Sequence, residues 1–159
     1  LINITKMTVI YTLAYFVHLP LEVFIFHFGF MLTRFFAYGA HSSSSVVCTA
    51  VSSILFIGIP GLLQITLSSA TGLFVANLIN LLILFKYAPG NTKKNYVGDE
   101  QHQKKLKRNA IVVNLFLMIG IFTLDLFISN LLVFGSLLCG VLVLPISDRV
   151  LTFKFKGQF

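Results

Sequence analysis

The chain has 159 residues, of which 57% are apolar and 11% charged, and a mean hydropathy of +0.90. Its apolar runs are too long for a soluble domain of this size, so the chain is read as an integral membrane protein. The net charge of +7 sits mostly in two polar stretches, and with no soluble module to present it, nucleic-acid binding is excluded.

Six apolar segments follow one another, at about 4–19, 21–38, 44–63, 66–85, 111–128 and 131–146, with a basic connection at 86–109. Each approaches the ~20 residues needed to cross a bilayer as a helix. The runs are continuous, without the alternation of a barrel strand, and backbone groups in lipid must be bonded within their own segment. The expected fold is an all-α membrane protein, a bundle of about six transmembrane helices forming one domain over 1–159.

Segment one contains Lys6 but no small-residue cleavage site, which argues against a signal peptide. Leu1 is not an initiator Met and almost no polar flank precedes the segment, so further N-terminal residues are expected. Segment two follows at Pro20, with His18 at its entrance and Glu22 near its outer end. His27 lies mid-segment and reads as a second base or as a bonded core histidine; nothing nucleophilic shares its depth, which favours the second.

Between segments two and three stands RFFAYGAHSSSSVVC, Arg34 to Cys48. A thiol and an imidazole that meet at a helix start are the minimum equipment of a cysteine peptidase, because the imidazole takes the thiol proton and the helix end stabilises the thiolate. His41 and Cys48 are therefore the catalytic candidates. In an unbroken α-helix their seven-residue separation is a rise of about 10.5 Å, too far to share a proton. The helix is thus expected to begin after His41, with Gly39 supplying the backbone freedom and one of Ser42 to Ser45 the N-cap. The competing reading of Cys48 is a small packing residue, and of the serines, helix caps; no GxSxG elbow is present. Arg34 has three candidate roles: holding a substrate carboxylate, supporting an oxyanion, or anchoring to headgroups.

Segments four and five carry Asn77, Asn80 and Asn114, read as interhelical hydrogen-bonding groups or orienters of His41. The connection between them holds Lys93, Lys94, Lys104, Lys105, Lys107 and Arg108 against Asp99 and Glu100, a local balance of +4. Such a loop attracts an acidic peptide or anionic headgroups, although cytoplasmic loops are basic in any case. Asp125 falls near the outer end of segment five. Cys139, in segment six, has no basic neighbour in sequence and is assigned to packing. With the two cysteines at different depths, no disulfide is expected; neither a metal nor a cofactor is called for. Lys/Arg placement puts both chain ends, the basic loop and the His41/Cys48 pair on the cytoplasmic side of a bacterial cell membrane.

The run MLTRFFAYGAHSSSSVVC, followed by FKYAPGNTKK, KKLKRNA and LLVFGSLLCGVLVLPI, resembles the accessory gene regulator B (AgrB) family of Gram-positive bacteria, in the same order and with similar spacing. The resemblance implies a membrane cysteine endopeptidase that removes the C-terminal tail of an AgrD-like quorum-sensing propeptide and supports thiolactone formation. It assigns His41 and Cys48 as the catalytic pair. It also places the family's basic cytoplasmic loop at Lys93 to Arg108 and implies a homodimer. Lys93, Lys94, Lys104 and Lys105, with Arg34 and Gly39, are the substrate-binding candidates, and membrane lipids are further expected partners. The chain departs from the family at Ser42-Ser43, where relatives often carry a small residue and a lysine. The rival class is a small transporter or channel with Asn77, Asn80 and His27 as its polar path; neither internal repeats nor midplane charge pairs support it.

Overall fold

The computed structural model describes residues 2–38, 45–90 and 99–147. Its named elements are six helices: α1 (Ile2–Phe16), α2 (Pro20–Ala37), α3 (Ser45–Ile65), α4 (Ala70–Tyr87), α5 (Glu100–Thr123) and α6 (Leu126–Val143). Five of them, α2 to α6, are long and apolar enough to cross a membrane, so the all-α membrane fold stands. At 15 residues, α1 is about 22 Å long, shorter than the hydrocarbon layer.

Each helix boundary has a local cause. The sequence reading carried segment one to Leu19, but α1 stops at Phe16. His18 adopts φ 58°, and the Leu19 N–H donates to Ala14 O at 2.9 Å and the His18 N–H to Tyr15 O at 3.2 Å, the paired bonds of a Schellman termination. Pro20 then opens α2, where its missing N–H costs nothing. Segment four was placed from Thr66, yet α4 begins at Ala70. Ser69 caps it by accepting from Gly72 N at 3.3 Å. The Asn130 amide takes both backbone groups of Ser68, at 3.0 and 3.1 Å, and holds the connection out of helix.

The largest differences concern α5 and α6. Helix α5 starts at Glu100, well inside the expected 86–109 loop, because Asp99 caps it through Gln101 N at 3.0 Å and Lys104 pairs with Glu100 at 2.9 Å. Charge ends a membrane crossing but does not end a helix. The turn expected at Ser129–Asn130 lies instead at Leu124–Asp125. Asp125 accepts from Phe127 N at 2.9 Å, so Asp125 is the N-cap of α6 and Leu126–Asn130 are its first residues.

At the centre of the bundle α2 lies against α6, with α1 and α3 on one side and α4 and α5 on the other. The contact is made by small residues. A Cβ on Gly29 would run into the Leu132 backbone, and one on Gly135 into the Phe26 carbonyl, so the two backbones touch only because both positions are glycine. Gly29, Thr33 and Ala37 are buried at four-residue spacing along α2. Thr33 Oγ1 and Ser136 Oγ then share a hydrogen bond at 2.7 Å. Lipid tails are as apolar as Leu, so close packing and such hydrogen bonds are what associate helices here.

Two apolar clusters extend this seam. One, with Ile10, Ala14, Leu19, Val23, Phe26, Phe56, Leu63 and Leu131, ties α1 and α3 to the central pair. The other joins Ala37, Leu84, Ala88, Ala110, Cys139 and Val143 from α2, α4, α5 and α6.

Replacing Gly135 with valine is expected to destabilise the fold by about 1–3 kcal/mol, the usual result of overpacking. Gly58→Ala serves as the control, since a Cβ there meets nothing within 4 Å. Thermal unfolding in detergent, followed by loss of the monodisperse peak, should separate the two; equal melting of both variants would contradict the α2–α6 contact.

Candidate active site

The end of the bundle that gathers the C-termini of α2, α4 and α6 and the N-termini of α3 and α5 is basic. Lys86 lies over the Tyr87 ring at 5.3 Å and Lys107 over Phe85 at 4.7 Å, joining the end of α4 to the start of α5. The opposite end carries carboxylate and amide groups: Gln64 Nε2 donates to Glu22 Oε1 at 3.1 Å, linking α3 to α2. Among the described residues it has no Lys or Arg.

Cys48 is the fourth residue of α3, at the basic end, and is half-buried. His41 and Gly39 lie outside the described residues, as do Lys93 and Lys94. The expected approach of His41 to Cys48 therefore has no described geometry. Lys104 and Lys105 stand exposed on the first turns of α5, Lys104 bound to Glu100.

Arg34 connects the parts of this end. On the last turn of α2, its Nη1 donates to Tyr38 O at 2.9 Å and its guanidinium lies 6.0 Å from the Phe30 ring centre. It also lies close enough to Cys139 and Cys48 to interact electrostatically with both. The side chain is thus turned into the protein, with one positive charge near both cysteines. Sequence reasoning left Cys139 without a basic neighbour. The structure keeps Cys139 buried in the α2–α4–α5–α6 cluster but places Arg34 beside it. The signal that was available is the small-residue spacing of Gly29, Thr33 and Ala37 on α2 and of Gly135, Ser136, Cys139 and Gly140 on α6, which brings these two helices together.

Tyr38, just past α2, has φ 54° and ψ −149°. This is a region that essentially only glycine occupies, at a cost of about 1–3 kcal/mol to other residues. Next to it, the Gly90 N–H donates to Ala37 O at 2.8 Å, and Tyr38 and Gly90 form an isolated bridge.

The other polar residues lie apart from the thiol. His27 is a bonded core histidine: its Nδ1 pairs with Tyr11 Oη at 3.1 Å, and its ring packs edge-on to Phe56 at 5.0 Å. Asn77 Nδ2 donates to Asn114 O at 3.1 Å and Asn80 Nδ2 to Ser136 Oγ at 2.9 Å, so these amides bond between helices. His27 faces α1 and α3 while the asparagines face α5 and α6. The polar path imagined for a transporter is thus split by the α2–α6 seam. Among the described residues no His, Cys, Asp and Glu cluster of the kind that holds a metal is present.

The sequence profile of the family described as accessory gene regulator B matches residues 1–146. The chain is 33% identical over 146 residues to the accessory gene regulator protein B of Staphylococcus lugdunensis, covering 91% of this chain and 76% of the relative. It is 32% identical over 145 residues to that of Staphylococcus intermedius (91% and 77%). It is 30% identical over 144 residues to that of Staphylococcus aureus (91% and 76%). No solved structure matches the chain.

In the folded protein an uncharged maleimide is expected to modify Cys48 and leave Cys139 intact, the first being half-buried and the second fully buried. Peptide mapping before and after unfolding in dodecyl sulfate checks this; equal rates at both thiols in the native state would contradict the packing described.

Proposed function

We infer that this chain, which belongs to the accessory gene regulator B family, is a membrane-embedded cysteine endopeptidase acting on a quorum-sensing propeptide. The observation that carries the reading is the half-buried Cys48 on the first turns of α3, at the basic end of the bundle.

The chemistry follows from these groups. His41 takes the Cys48 proton, and the thiolate attacks a peptide carbonyl of the propeptide. The tetrahedral intermediate collapses to a thioester on Cys48, and the imidazolium returns its proton to the departing amine of the C-terminal tail. The propeptide's own cysteine thiol then attacks that thioester. Its proton returns through His41 to Cys48, and a thiolactone leaves. One thioester replaces another, so little acyl energy is lost, provided that water competes poorly with the substrate thiol. Helix-end amides of α3 are the natural oxyanion donors.

Placement supports the choice of substrate. Lys104, Lys105 and Arg108 on the first turns of α5, with Lys93 and Lys94 before them, make the basic end attractive to an acidic tail and to anionic headgroups. By the Lys/Arg bias this end faces the cytoplasm, and both chain termini with it. We place a homodimer in the same proposal, on family resemblance.

In liposomes with a cognate propeptide, Cys48→Ala is expected to abolish cleavage, and His41→Ala to slow it by about 10²–10⁴-fold, the usual contribution of a general base. Cys139→Ser should retain an acyl adduct on Cys48, visible by intact-mass spectrometry of the quenched reaction. Cleavage by Cys48→Ala, or turnover without any adduct, would sink the peptidase reading.

A further inference from the structure

A strained residue sits at the exit of α2, and two separate contacts hold it there. Tyr38 occupies a positive-φ conformation without being glycine or forming a turn of its own. Its carbonyl accepts from Arg34 Nη1 at 2.9 Å. Its amide donates back to Arg34 O at 3.2 Å, and the preceding carbonyl, of Ala37, accepts from Gly90 N at 2.8 Å. Ala37 and Gly90 are both buried, so the second contact is shielded from competing water. Backbone strain of this kind persists only where the surroundings over-determine it, and it clusters at working parts of proteins.

We propose that Arg34 and Gly90 clamp Tyr38 in this conformation and so fix the exit from α2, making Arg34 a positioning residue for His41, three residues on in sequence, in its work with Cys48. The proposal rests on that pair working together, as in the function proposed above. The clamp joins two parts of the sequence far apart, the end of α2 and the Ala88-Pro89-Gly90 turn after α4, and both must be formed before the exit is set. A direct role for Arg34, on substrate or on the Cys48 thiolate, is the alternative, and the two differ in what glycine at position 38 does. Glycine adopts the same backbone angles without strain. If Arg34 acts by holding Tyr38, glycine there removes much of the need for it. If Arg34 acts through its charge, glycine changes nothing.

The test uses the full chain in liposomes and reads Cys48 alkylation by iodoacetamide near neutral pH, with no propeptide present. The quantity is the ratio of the Cys48 rate with His41 intact to that in the matching His41→Ala background, for the otherwise unaltered chain, Arg34→Ala, Tyr38→Gly and the double variant. The expected ratio is about tenfold or more in the unaltered chain and in Tyr38→Gly, close to one in Arg34→Ala, and restored to within about threefold in the double variant. Continued protection of Cys139 shows in each case that the bundle is folded. An Arg34→Ala ratio as high as that of the unaltered chain, as a direct charge effect on the thiolate would give, overturns the clamp, and so does a double variant as impaired as Arg34→Ala. A ratio near one in the unaltered chain overturns it as well. Propeptide cleavage is assayed separately: its absence alongside the expected alkylation pattern counts against the peptidase reading and leaves the clamp standing.

Discussion

The backbone contact between α2 and α6 is the constraint on which the rest of this bundle depends. Gly29 and Gly135 leave no room for a side chain between the two helices, and the Thr33–Ser136 hydrogen bond closes the polar groups that such an approach buries. A water-soluble bundle gains by covering apolar surface, but a bundle in lipid gains little that way and must rely on contact quality. The same logic explains Gly140, where a Cβ would strike the Asn80 side chain, and the Asn80–Ser136 bond that fixes α4 to the pair.

That seam also decides what meets at the basic end. With α2 pressed against α6, Arg34 reaches Cys139, and the end of α2 meets the turn after α4 through Gly90. Cys48 then enters from the first turns of α3, a helix held mainly by α1 and α2 through Phe26, Phe56 and Leu63. Rigid and less enclosed parts are thus divided: the central pair has its contact residues fully buried, while the helix carrying the thiol is largely exposed to its surroundings.

The sequence disclosed the helical class, the order of the apolar segments and the two ends of different charge, because hydropathy and Lys/Arg bias are set residue by residue. It misplaced the α5–α6 turn because a search for runs of about 20 apolar residues passes through Asp125, whereas a cap is a single hydrogen bond to Phe127 N. It likewise took charge for loop at Glu100–Asn109, where Asp99 starts a helix. The nearness of Arg34 to Cys139 escaped because the two are 105 positions apart, and only the small-residue spacing on both helices announces it. Tyr38 was invisible for a different reason: nothing in its identity predicts a glycine-like backbone, which its neighbours impose.

Cys48 belongs to the basic end of the bundle, and the function proposed above requires that this end face the cytoplasm. Labelling Cys48 with a membrane-impermeant maleimide, in right-side-out and in inverted membrane vesicles carrying Cys139→Ser protein, tests it most directly. The account predicts modification in inverted vesicles and protection in right-side-out ones until the membrane is opened. Modification in intact right-side-out vesicles would contradict it.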